Sequence, residues 1–175
     1  MSFWKSIKKL FLKKSPTDLL PEYTFDEIWE IENVNNFLVA MSVYLGKKCA
    51  YGEEFERLSE AEQVFYICNE VAMEVNNGGF SQYLYNSSGD HAHRAVECMN
   101  IVGDKKTAKI CENSFSAFGK TIPQNWEERE EFLDENETEK VSAKLEKCDD
   151  QFYDYPDDLD ELCYQYIQTN REQFS

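Results

Sequence analysis

Between Glu74 and Asp90 the chain reads Glu-Val-Asn-Asn-Gly-Gly-Phe-Ser-Gln-Tyr-Leu-Tyr-Asn-Ser-Ser-Gly-Asp. Two adjacent glycines at the end of an apolar helical phase constrain the fold more than anything else in the sequence. Val64, Phe65, Ile67, Cys68, Val71, Ala72 and Val75 recur at helical spacing, so a helix is expected to stop at Asn76-Asn77-Gly78-Gly79. Glycine can take the positive φ that closes a last turn, and Gly79 is the residue expected to do so. Phe80, Tyr83 and Leu84 then stand at i, i+3 and i+4, an apolar stripe that predicts a second, short helical piece plugged into the core. Asn86-Ser87-Ser88-Gly89-Asp90 turns the chain again.

The rest of the chain agrees with a helical reading. Glycine and proline are few, at seven and four in 175 residues, and 42% of the residues are hydrophobic, including 12 Phe, 10 Tyr and 3 Trp. That suffices for one domain with a substantial core, and β-type alternation is scarce, so the expected class is a compact all-α domain. A helical stretch is expected from about Thr24 to Leu45 with a break near 33–36, followed by a loop over 47–54. Ser59 with Glu62 reads as a capping box for the helix leading to the glycines. Asp90 is expected to start the next helix, Gly103-Asp104 to end it and start another, and Gly119 to close that one. Asn125 with Glu128 opens an acidic helical region whose buried phase is Phe132, Leu133, Val141, Leu145, Cys148 and Phe152. Pro156 separates it from a last helix over 157–172.

The Asn77-Gly78-Gly79-Phe80 run, with Gln82, Tyr83, Asn86 and Gly89 after it, resembles the signature of the DNA mimic protein nineteen family. Ala95, Val96, Met99 and Ile101-Val102-Gly103 are similar to that family's next helix and its end. Asp150-Gln151-Phe152-Tyr153, Asp157 to Tyr166 and Asn170 resemble its closing segment. The resemblance spans about residues 55 to 174. It implies a compact helical domain and, as in the type member, an acidic surface that takes the place of DNA on a DNA-binding protein.

Charge points the same way. The formal net charge is −16, but residues 1–14 contribute five lysines and no acid, leaving −21 on the remainder; from Ile122 onward 17 acids face five bases. Duplex DNA carries about one negative charge per 1.7 Å of axis, so direct nucleic-acid binding is not expected and basic proteins are the natural partners. The densest carboxylates, Glu127, Glu128, Glu130, Glu131, Asp134, Glu135 and Glu137, with Asp149, Asp150, Asp154, Asp157, Asp158, Asp160 and Glu161, form the candidate partner-binding surface. They are selected by local charge density. Acids at the start of the last helix also complement its dipole.

Residues 1–20 form a separate unit of arm and linker, and 21–175 the acidic domain. Phe3, Trp4, Ile7, Leu10 and Phe11 share one helical face of the arm and lysines fill the other. Contact with an anionic membrane surface, docking on the chain's own acidic body or a partner, and disorder all remain open for residues 1–14. Neither a secretory signal nor a spanning segment is in view, and a cytoplasmic location is expected. A homodimer remains open as well.

Chemistry is weighed and declined. No two of the six cysteines are closer than 13 residues, which excludes zinc-type spacing and reads as buried free thiols. His93 and Glu97 share a helical face and could take a divalent ion, but polar residues of a helix start account for them, so no metal or cofactor is expected. Gly78-Gly79 lacks the Lys-Ser/Thr of a phosphate loop, and no nucleophile stands with a positioned base, so no enzyme is expected. Gln82, Asn77 and Asn86 are read as satisfying backbone groups at the helix ends they flank, with partner contact as the alternative. The other functional reading is a generic helical protein-binding or membrane-peripheral module whose acidity serves solubility.

Overall fold

The computed structural model describes residues 23–175; the expectations for the arm and linker at 1–20 lie outside them. Among the described residues there are eight α-helices and no strands: α1 (Phe25–Trp29), α2 (Val34–Lys48), α3 (Glu60–Tyr85), α4 (Ala92–Val102), α5 (Lys105–Ser116), α6 (Trp126–Asn136), α7 (Glu139–Tyr153) and α8 (Leu159–Thr169). Short 3₁₀ turns occupy Ala50–Gly52, Phe55–Arg57, Ser87–His91 and Arg171–Gln173.

α3 is the axis of the domain, in contact with α2, α4, α6, α7 and α8. Its start is the expected capping box: the Ser59 hydroxyl accepts from the Glu62 N–H while the Glu62 carboxylate accepts from the Ser59 N–H at 2.7 Å. Glu62 is fully buried and also receives Lys48 Nζ at 2.7 Å and the Ser175 N–H at 3.0 Å, so the end of the chain is tied to the head of the central helix. Val64, Phe65, Ile67, Cys68, Val71 and Val75 are buried on α3, as its periodicity predicts. All six cysteines are buried free thiols.

The helix does not end at the glycines. It kinks. Gly78 (φ −161°, ψ 23°) and Gly79 (φ 79°, ψ −179°) leave the helical region, and Phe80–Tyr85 resumes as a last helical stretch. Gly79 has the expected positive φ, but with ψ near 180° it lies in the mirror-extended region open essentially to glycine rather than in the left-handed helical one. The chain therefore changes direction without reversing, and Phe80, Tyr83 and Leu84 reach full burial.

Several boundaries differ from those expected. The Asn33–Asn36 segment starts a helix instead of breaking one: Asn33 Oδ1 accepts from the Asn36 N–H at 3.0 Å and caps α2, while the break falls just before it, after α1. Asp90 does not cap α4, because its carboxylate is engaged by Arg129. α5 stops at Ser116, and Gly119 (φ 66°) closes the turn beyond it. The acidic region is two helices, since Thr138 accepts from the Val141 N–H and opens α7. α8 begins at Leu159 with Asp158 as its cap. Gly103 (φ 98°) and Asp104, which accepts from the Thr107 N–H at 2.8 Å, form the α4–α5 junction as expected.

Candidate acidic interaction surface

α6 owes its seat to one arginine. Trp126–Asn136 has a single cation, Arg129, and that residue is fully buried. Its Nε donates to the Leu84 carbonyl at 2.7 Å. Its two terminal nitrogens donate to the carbonyls of Gln124 (2.5 Å) and Asn86 (3.1 Å) and to Asp90 Oδ1 (2.6 Å). Leu84 and Asn86 belong to the C-terminal end of α3, where carbonyls lack helical partners, so the guanidinium both satisfies them and meets the negative end of the helix dipole. A buried arginine is tolerable only with this many partners. Trp126 Nε1 adds a bond to the Tyr85 carbonyl at 3.1 Å.

With Arg129 and Leu133 buried and Phe132 packed on the core, the 100° step per residue turns Glu127, Glu130 and Glu131 outward, sets Glu128 and Glu135 on the flanks, and leaves Asp134 at the edge that meets Tyr85 at the end of α3. All six are exposed. No exposed cation of α6 stands among them. Six charges on an 11-residue helix amount to about one per 2.7 Å of axis, between the 3.4 Å of one DNA strand and the 1.7 Å of the duplex. α7 is different: Lys140, Lys144 and Lys147 interleave with Glu139, Glu146 and Asp150, all exposed.

Three of the fourteen candidate carboxylates, Glu137, Asp149 and Asp134, are turned toward the end of α3. Asp149 Oδ1 accepts the Phe80 N–H at 2.8 Å, serving as the cap of the helical stretch that resumes after the kink. Partial burial raises the Asp149 pKa, with Asp150, Glu146 and Glu137 adding to the rise and the Phe80 N–H opposing it. Glu137 accepts from the Ser81 hydroxyl at 2.7 Å. Asp134 accepts from the Tyr85 hydroxyl, a bond that pushes the tyrosine pKa up to about 12. The other side of the kink is served from the end of α7 and the turn after it. Tyr153 donates to the Val75 carbonyl at 2.8 Å, and Tyr155 (φ 45°) to Asn76 Oδ1 at 2.7 Å.

The remaining candidates gather around the end of α7 and the start of α8. Asp150 and Asp154 are exposed. Asp157 pairs with Lys106 Nζ at 2.7 Å, which holds its carboxyl below the usual range. Asp158 caps α8 by accepting from the Glu161 N–H at 3.1 Å. Burial and then Asp158 raise the pKa of Asp160, and Glu161 accepts from Gln165 at 2.8 Å.

The polar members of the Asn-Gly-Gly-Phe run have a different task from the one expected. Gln82 and Asn86 donate to a single carboxylate oxygen of Glu74, at 2.7 and 2.8 Å, and so join the two sides of the kink. Asn77 is exposed. Sequence reasoning passed over Glu74 and Arg129 as partners. The signal for Arg129 was its position as the only base in a run of acids, in phase with Phe132 and Leu133. His91 and His93 are engaged separately, His91 with Glu70 at 3.2 Å and His93 with the Asp90 carbonyl at 3.2 Å.

Fold and surface together define an acidic all-α domain built on a kinked central helix, with its carboxylates concentrated on an outer helix that carries no exposed base. The family model described as DMP19-like protein matches residues 56–170, and the chain belongs to that family. No curated protein and no solved structure matches the chain. Among the described residues no helix is long and apolar enough to cross a membrane.

Proposed function

We propose that this protein is a cytoplasmic DNA mimic that occupies the DNA-binding surface of a basic DNA-binding protein, a transcriptional regulator. Family membership supports a DNA-mimic-like role at the level of the family. The observation that carries the reading for this chain is the outer face of α6, where six exposed carboxylates run without an exposed cation because the helix buries its only one. A groove built for phosphates already rewards such an array, and rigid helical carboxylates compete for it without the entropy cost of ordering a flexible tail. Asp150, Asp154, Asp160 and Glu161 flank the array at the end of α7 and the start of α8. The protein acts as a binding module, with no catalytic step assigned to it.

The alternative, acidity for solubility alone, draws support from α7, where lysines interleave with acids. A competition assay separates the two. The parent protein should displace a DNA duplex from its regulator, and Glu127, Glu128, Glu130 and Glu131 changed together to Gln should displace it less well. Changing Asp26 to Asn and Glu27, Glu30 and Glu32 to Gln should have little effect. Equal losses in the two quadruple variants would support scattered charge instead.

A further inference from the structure

The α4–α5 junction and the turn between α7 and α8 meet through two aspartates. Asp104 is fully buried. Its Oδ1 caps α5 by accepting the Thr107 N–H at 2.8 Å, but its Oδ2 is buried with no hydrogen-bond donor beside it among the described residues. The group that the Asp104 carboxyl faces is the carboxyl of Asp157, another acceptor. The Lys106 ammonium does not fill the gap. Its Nζ donates to Asp157 Oδ1 at 2.7 Å and to the Pro156 carbonyl at 2.6 Å.

Two carboxylates that share a site are not both ionised when one of them is buried, and an orphaned buried oxygen costs the folded state the desolvation of that atom. One proton removes both penalties. A neutral carboxylic acid has an O–H to donate, so a protonated Oδ2 is satisfied on Asp157 while Oδ1 still accepts from Thr107. Lys106 decides which partner holds the proton, because its charge lies against Asp157 and favours the ionised form there. We propose that Asp104 and Asp157 form a one-proton site, with the proton on Asp104 Oδ2 bonded to the Asp157 carboxylate, which latches the α7–α8 turn to the start of α5. The site is independent of the acidic face of α6.

The surrounding groups agree in sign. Burial raises the Asp104 pKa; the charge and hydrogen bond of Asp157 add to the rise, and the Thr107 bonds oppose it. The Lys106 bond comes first in lowering the Asp157 pKa, and the Asp104 bond lowers it further. Cys111, two turns along α5, is a thiol whose pKa is pushed up by burial and then by Asp104, so it brings no charge. Asp158 is turned to the Glu161 N–H instead. The raised Asp104 value gives stability that is lost as pH rises through it, and the lowered Asp157 value gives stability that is lost as pH falls through it. Between the two the latch is closed. Above the upper one, like charges face each other and the turn that carries Tyr155, bonded to Asn76 beside the kink, is pushed from α5.

Carboxyl-carbon NMR of the full chain, read against pH, tests the pair. Two steps are expected, the upper read mainly at Asp104, above the ordinary aspartate range, and the lower mainly at Asp157, below it. Asp157→Asn should bring the Asp104 midpoint down, and Lys106→Gln, at an exposed position, should raise that of Asp157. Asp104→Asn offers the same two bonds without a titrating proton, Oδ1 to the Thr107 N–H and Nδ2 to Asp157. It should therefore fold, and its melting temperature should lose the decline that the parent shows as pH rises through the Asp104 midpoint. An Asp104 midpoint in the ordinary range would overturn the proposal. A raised midpoint that Asp157→Asn leaves unmoved would overturn it too, by showing burial alone. So would movement of both carboxyl signals on adding calcium chloride at millimolar concentration, which would make the facing oxygens a cation site.

Discussion

Arg129 occupies the space that a side chain on Gly89 would need. A Cβ built at Gly89 would lie 2.7 Å from Arg129 Nε and 2.7 Å from the Leu84 carbonyl oxygen that Nε binds. The glycine that ends the Asn86–Gly89 turn is thus spent on admitting a guanidinium from a helix 40 residues later. The acidic helix is bolted to the central one by its only positive charge, which leaves its outer face wholly negative.

Arg129→Met keeps much of the side-chain volume but leaves the carbonyls of Leu84 and Asn86 short of donors. We expect a loss of about 3 kcal/mol in unfolding free energy, measured by urea denaturation. Gly89→Ala should cost stability through the same contact, and the two losses should fall short of additive in the double variant, since each disrupts the same seat. Strict additivity would show that they act separately.

Gly79→Val meets two penalties. The backbone at φ 79°, ψ −179° is closed to a β-branched residue, and the new Cβ would press into the Asp149 carboxylate. A loss of about 2–3 kcal/mol is expected. Gly78→Ala has no positive φ to overcome and meets chiefly the flexible Gln82 side chain, so it should cost less. A thermal melt in which the two variants are equal would remove the special standing of Gly79.

The pH dependence of stability carries a sign that can be stated in advance. The folded-state pKa values of Asp149 and Glu70 are raised, in both cases chiefly by burial. A carboxyl with a raised folded pKa binds more protons folded than unfolded, so stability falls as pH rises from the ordinary carboxylate range through the raised value. For Asp149→Asn the neutral amide still accepts the Phe80 N–H through Oδ1, and this decline above the ordinary carboxylate range should flatten. An unchanged slope of melting temperature against pH would show that Asp149 does not contribute.

Salt should discriminate between localised and diffuse charge. If the α6 face meets a DNA-binding groove, the affinity of the parent protein should drop steeply as salt rises from 50 to 200 mM, and the variant with Gln at 127, 128, 130 and 131 should show a shallower slope. Titration calorimetry at several salt concentrations gives both slopes directly. Parallel slopes would argue against a localised face.

Helix class, the capping box at Ser59–Glu62, the Asn125 cap, the break at the glycines and the buried phase of α3 were all legible in the sequence. Each depends on residues a few positions apart, where backbone geometry fixes which side chains and amides meet. The acidic character of the last third was equally plain, because charge is a sum over residues. What the carboxylates do was not. Asp149, Glu137 and Asp134 look in sequence like Glu127 or Glu131, yet each binds a group in the 80–85 segment, 49 to 69 residues away.

The particular bend at Gly79 was likewise decided in three dimensions, by Asp149 on one side and Tyr153 on the other. So was the burial of Arg129, since only packing against the end of α3 and the turn after it brings the carbonyls of Leu84 and Asn86 and the Asp90 carboxylate to one guanidinium. Local pattern determines which elements form, because their hydrogen bonds close within four residues. Which charges face water and which satisfy the fold depends on partners that only packing brings within 3 Å, and that is why the tertiary structure, and not the composition, separates Asp149 and Glu137, bonded to the 80–81 segment, from the exposed Glu127 and Glu131.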